Sequence, residues 1–172
     1  VRQLKWGLGG DCLSIHLTYV PYLAAAQELK TKPTQHSVKE LQKEGVQPDI
    51  LVLRTEHEIS ASMKAKVGLF CNVDPTAVVQ SIDAKSIYQV PINLQAEHLD
   101  EIVLRKTGYN PEEVPAADMA DWQHFLDLRD ESKEEVKIAL VGKYVQLHDA
   151  YMSIRESLSH AATYNHHKLA LT

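Results

Sequence analysis

The segment Gln47-Pro48-Asp49-Ile50-Leu51-Val52-Leu53-Arg54 limits the fold more than any other stretch of the chain. Four consecutive apolar residues stand between a Pro-Asp turn pair and an arginine, the pattern of a strand covered on both faces. Such strands belong to parallel sheets, whose connections are helices, so the run implies an α/β chain.

The neighbouring segments fit that frame. From Cys12 to Val20 the residues alternate, with Leu13, Ile15, Leu17 and Tyr19 on one face and Ser14, His16, Thr18 and Val20 on the other, which predicts a strand. Ahead of it, VRQLKWGLGG reads as the end of an amphipathic helix. After Pro21 and the small-residue stretch YLAAAQELK, Pro33 suits a helix start, Ser37 and Glu40 have capping-box spacing, and Gly45 closes the helix. Residues 60–70 read as helical, 78–81 as a short strand, and 87–96 and 99–107 as two further helices ending at Gly108. Strand, helix, strand, helix, strand is the order of a doubly wound parallel sheet.

Pro111, Pro115 and the adjacent Glu112-Glu113 then break any periodicity, as a connection between domains does. Met119, Trp122, Phe125, Leu126 and Arg129 trace an amphipathic helix, and the charged run DESKEE follows. Val136 to Val141 predicts a new buried strand, Gly142-Lys143 a turn, and 149–163 a helix with Ile154, Leu158 and Ala161 on one face; 169–171 begins another strand. The expected domains are therefore 1–108, a connecting segment with a helix at 109–135, and 136–172. Two strands cannot bury a core of their own. The last part reads as unfinished, and the chain as a piece of a longer protein.

No run of about 18 apolar residues is present to span a bilayer. The opening residues lack the apolar stretch and cleavage site of a secretory signal. A net charge of -5 argues against a general nucleic-acid binder, which needs a basic surface. Cys12 and Cys71, far apart and beside apolar residues, fit buried thiols in a reducing compartment, the cytoplasm.

Two clusters carry chemistry. Lys30-Thr31-Lys32-Pro33-Thr34-Gln35 sets two ammonium groups, two hydroxyls and an amide just ahead of a helix N-terminus, where unpaired N–H groups and the helix dipole favour an anion such as a triphosphate. The same composition also suits a solvated loop. Lys64 and Lys66, with Arg54 at the end of the buried strand, fall on the carboxyl edge where open α/β sheets bind ligands, and equally on an ordinary solvated helix face. His166-His167 points to different sides of a regular element, which disfavours a metal site.

HLTYVPY, KTKPTQHSVKEL, QPDILVLR, LFCNV and SIY, in this order and spacing, resemble the CTP synthase family across Cys12 to Gly108. The later VKIALVGKYVQLHDAYMSIRESLSHA resembles the start of the same family's glutamine amidotransferase domain, of class I. The resemblance implies an incomplete P-loop or dethiobiotin-synthetase-like synthetase domain followed by the first β-α unit of the amidotransferase. It implies that Lys30, Thr31, Lys32, Pro33, Thr34, Gln35 and Lys66 contact UTP and CTP, that Ile82, Asp83 and Ala84 border the adenine of ATP, and that Arg54 assists the nucleotide. It further implies the reaction UTP to CTP with ATP, magnesium and glutamine, and a homotetramer with its pyrimidine site at a subunit interface. The family's phosphate loop, magnesium ligands and catalytic cysteine and histidine match no residue here, and no GxxxxGK[ST] occurs, so no catalytic or metal residue is assigned. Gln27 stands where the family usually has glycine. Two alternatives remain: a module that binds nucleotide or assembles subunits without catalysis, and an unrelated ligase of dethiobiotin synthetase type that shares the fold but not KTKPTQHS.

Overall fold

The computed structural model describes residues 1–172, the side chain of His148 excepted. The chain divides into two compact units, Val1–Ala116 and Ala117–Thr172.

The first unit opens with helix α1 (Arg2–Leu8), which buries none of its residues but is tied down by Lys5, whose ammonium donates to the Asp49 carboxylate and to the Gln47 carbonyl. Asp49 also accepts from the Ser14 N–H at 2.8 Å, so one carboxylate fixes the entry to strand β1 (Ile15–Tyr19). A small hairpin, β2 (Tyr22–Leu23) and β3 (Glu28–Leu29), replaces the featureless stretch expected after Pro21. Its turn holds Gln27 at φ 50°, in the left-handed region that glycine enters without strain. Gln27 thus holds a side chain in a backbone conformation that favours glycine.

Helix α2 (Lys32–Lys43) begins two residues after Lys30, with Pro33 in its first turn and Gly45 at φ 80° beyond its end. Ser37 is not its cap: it lies inside the helix, 2.9 Å from His16 Nε2 on β1. Strand β4 (Ile50–Thr55) is the buried run, with Ile50, Leu51 and Leu53 wholly shielded. Ser60 caps helix α3 (Ala61–Cys71) by accepting from the Met63 N–H. Strand β5 (Val78–Ile82), helix α4 (Val90–Ala96) and helix α5 (Leu99–Lys106) complete the unit. The sheet is parallel throughout, in the order β1-β4-β5, with Leu17 beside Val52 and Val52 beside Val79.

One detail of β1 differs from its alternation. Thr18 and Val20 are buried, whereas Ile15, Leu17 and Tyr19 are 46%, 63% and 44% exposed. The reason is the placement of α2, which meets the other face through His16–Ser37 and through Thr34 Oγ1, 3.0 Å from the Tyr19 carbonyl. The more apolar side of this edge strand is the open one.

The second unit holds helix α6 (Ala120–Glu131), strand β6 (Glu134–Ile138), helix α7 (Met152–Tyr164) and strand β7 (His167–Leu171). The two strands are parallel and pair Glu134 with His167 through to Ile138 with Leu171. β6 starts two residues earlier than its apolar run predicts, and none of its residues is buried. A two-stranded sheet supplies too few neighbours for that. The stripe Ile154, Leu158 and Ala161 on α7 also stays partly or fully exposed, while Ala162 and Thr163 are the buried positions.

Candidate functional site

Three parallel strands end at Tyr19, Thr55 and Ile82, and the segments leaving them share the carboxyl edge of the sheet. Ligands bind at such an edge because the side chains of several loops converge there without belonging to the core.

The segment Lys30 to Gln35 is anchored at the end of β1. The Lys30 N–H donates to the Pro21 carbonyl at 2.9 Å, and the buried Thr34 hydroxyl donates to the Tyr19 carbonyl. Thr31 occupies the N-cap position of α2 but makes no side-chain cap, accepting instead from Gln35 Nε2 at 3.3 Å. The first-turn N–H groups therefore keep their capacity for an anion. Lys30 is paired with Glu28, so an anion binding at Lys30 competes with that carboxylate. Pro33 and Lys32 are exposed, and Lys32 has no ion pair among the described residues.

At the ends of β4 and β5, Arg54 Nε donates to Asp83 Oδ1 at 3.1 Å, and the Asp83 N–H to the Thr55 carbonyl at 2.9 Å. Both side chains are largely in water, so the pair holds the loop Ile82-Asp83-Ala84 in register more than it stabilises the fold. Beside it the Tyr19 hydroxyl donates to Glu56 Oε1 at 2.7 Å. That bond, and the negative charge of Glu56, raise the phenol above its ordinary value and keep it protonated. Tyr22 packs on His57 with ring centroids 3.9 Å apart, fastening the hairpin to the loop after β4.

The lysines of α3 separate. Lys64 is half-buried and paired with Glu97 at 2.6 Å, whereas Lys66 is exposed with no ion pair among the described residues. No hydrogen bond or ion pair among them joins Lys66 to residues 30–35. The sequence identified Lys30 to Gln35, Arg54 and Asp83, which the fold collects at one edge; it offered no signal for Glu97, Gln80, Glu56 or His57, whose partners lie far away along the chain.

Among the described residues no group of three or more His, Cys, Asp or Glu side chains could hold a metal ion, and no helix is long and apolar enough to cross a membrane. The magnesium implied by the family is not fitted by this donor set, and no step below runs through it. Cys12 and Cys71 are free thiols, and burial pushes that of Cys71 upward, away from reactivity.

Comparison with known proteins places the chain in a family. The family model described as CTP synthase N-terminus matches residues 1–108. Over 171 residues the chain is 61% identical to a CTP synthase of Porphyromonas gingivalis, covering 99% of this chain and 31% of that protein. It is 60% identical to one of Bacteroides fragilis, covering 99% and 32%. A CTP synthase of Desulfitobacterium hafniense is 52% identical over 162 residues, 94% of this chain and 30% of its own length. The chain thus spans about a third of the length of these relatives.

Proposed function

The chain belongs to the CTP synthase family, and from that premise we propose that it forms part of an enzyme that aminates UTP to CTP. ATP phosphorylates the 4-oxygen of the uracil ring, and ammonia released from glutamine then displaces that phosphate to leave the 4-amino group. Catalysis of this kind rests on positioning and on cations that stabilise the moving phosphoryl group.

The observation that carries the site is the anchoring of Lys30 to Gln35 at the carboxyl edge, through Thr34 and the Tyr19 carbonyl. There the ammonium groups of Lys30 and Lys32, the Gln35 amide and the open turn of α2 would bind the phosphates and ribose of UTP or CTP. Lys66 would complete the site. Lys66 is exposed, and the resemblance to the family would put this site at a subunit interface of a homotetramer. Ile82, Asp83 and Ala84 would border the adenine of ATP, with Arg54 orienting Asp83. The first unit would be synthetase domain, and the second a connecting helix followed by the start of the amidotransferase domain. The free cysteines fit a cytoplasmic enzyme.

Calorimetric titration of the full-length protein with CTP tests the site. Lys30→Ala, Lys66→Ala and Gln35→Ala should each weaken binding by about tenfold or more, since charged hydrogen bonds contribute roughly 1.5–3 kcal/mol. Unchanged affinity in all three would sink the assignment.

A further inference from the structure

Glu97, between α4 and α5, gathers three donors on one carboxylate. Lys64 Nζ donates to Oε2 at 2.6 Å, the Gln80 backbone N–H to the same oxygen at 3.1 Å, and Gln80 Nε2 to Oε1 at 2.9 Å. Gln80 Oε1 accepts in turn from the Ile59 N–H at 2.8 Å, one residue ahead of the Ser60 cap of α3. The Lys64 and Glu97 side chains are only 20% and 21% exposed. Burial pushes the Glu97 carboxyl upward, but Lys64 and Gln80 outweigh it and hold the group below the usual carboxylate range. It is ionised at neutral pH.

The network spans two of the elements that the proposed site draws from this chain. One is α3, which carries Lys66; the other is β5, which runs into Ile82-Asp83-Ala84. Gln80 is bonded on one side to the start of α3 and on the other to Glu97, so neither element can slide along the other without breaking a charged, shielded contact. Neutralising Lys64 also leaves Lys66 as the α3 lysine open to a phosphate.

We infer that Glu97 is a positioning residue for nucleotide binding, which sets Lys66 against the Ile82–Ala84 loop through Lys64 and Gln80. This rests on the site reading above.

Steady-state kinetics of the full-length enzyme, with ammonium as nitrogen source and UTP and ATP varied in turn, tests it in Glu97→Ala and Glu97→Gln. The alanine variant should raise KM for both nucleotides by about three- to thirtyfold, below the roughly hundredfold loss that a displacement of about 1 Å can bring. The glutamine variant should fall between, because its amide oxygen still accepts from Gln80. A purely architectural role would reduce the amount of folded enzyme, hence apparent kcat, and leave KM alone; unchanged KM in both variants overturns the inference. Lys66→Ala, run alongside, separates the two readings. No change in its KM for UTP refutes the site itself, while a rise there with none in either Glu97 variant refutes only the role given to Glu97.

Discussion

Replacing Gly68 with alanine should destabilise the first unit, although alanine is the better helix former. Gly68 is buried within α3, and a Cβ built on it would lie 2.7 Å from the Val73 carbonyl oxygen and 3.3 Å from both Cα and N of Pro75. Those atoms are backbone and cannot swing aside. The turn is held by the Val73 N–H on the Gly68 carbonyl at 2.9 Å, by the Thr76 N–H on Asp74 Oδ1 at 2.9 Å, and by the Ala77 N–H on the Asp74 carbonyl at 2.8 Å. Helix propensity alone would favour alanine by about 1 kcal/mol. Overpacking against a rigid neighbour costs about 1–3 kcal/mol, and the bonded turn puts this site toward the upper end. The net is about 2 kcal/mol lost, or a Tm lower by about 4–8 °C for a chain of this size. Thermal unfolding followed by circular dichroism reads this directly. Gly7→Ala supplies the contrast, since Gly7 lies in α1 with nothing within 4 Å of its Cβ position and should leave Tm unchanged or slightly raised. A Gly68→Ala protein as stable as the parent, or more so, would refute the packing argument.

Gln27→Gly should raise stability by about 0.5–1 kcal/mol, the relief of a left-handed side-chain residue less the backbone entropy of glycine; a urea midpoint that falls instead would contradict it. Thr34→Val keeps the shape of a fully buried side chain but removes its bond to the Tyr19 carbonyl, and should lower the unfolding free energy by about 1 kcal/mol, measured the same way. His16 is held below its ordinary value of 6.5 by burial, so the unfolded chain binds the proton more readily. Its contribution is fully present above 6.5 and is lost as pH falls through the lower folded value. The urea midpoint should therefore drop between about pH 7.5 and about pH 5.5, and His16→Gln should flatten that slope; an undiminished slope would assign it to other groups.

The unequal legibility of the chain follows from where each signal resides. Ile50 to Leu53 announced a doubly covered strand because burial on both faces acts on every residue, and Ser60 capped a helix by a bond to a neighbour three positions away. Ser37 and Glu40 carried the same spacing, yet His16, remote in sequence, claimed the hydroxyl. The alternation of β1 gave the strand but not its inward side, which depends on the face that α2 meets. The second unit strayed furthest, since Val136 to Val141 reads as buried only where further strands flank it. In the site, the string Lys30 to Gln35 was contiguous and visible, while the sorting of Lys64 from Lys66 hung on Glu97, 33 residues beyond Lys64.

The carboxylate of Glu97 on the Gln80 N–H has a further effect on the sheet as a whole. It occupies a donor on the outer edge of β5, where α4 also packs, while β1 at the opposite edge pairs only with β4 and keeps an apolar flank in solvent. The sheet's β5 edge is thereby blunted at Gln80, where a carboxylate holds the donor that a further strand would need.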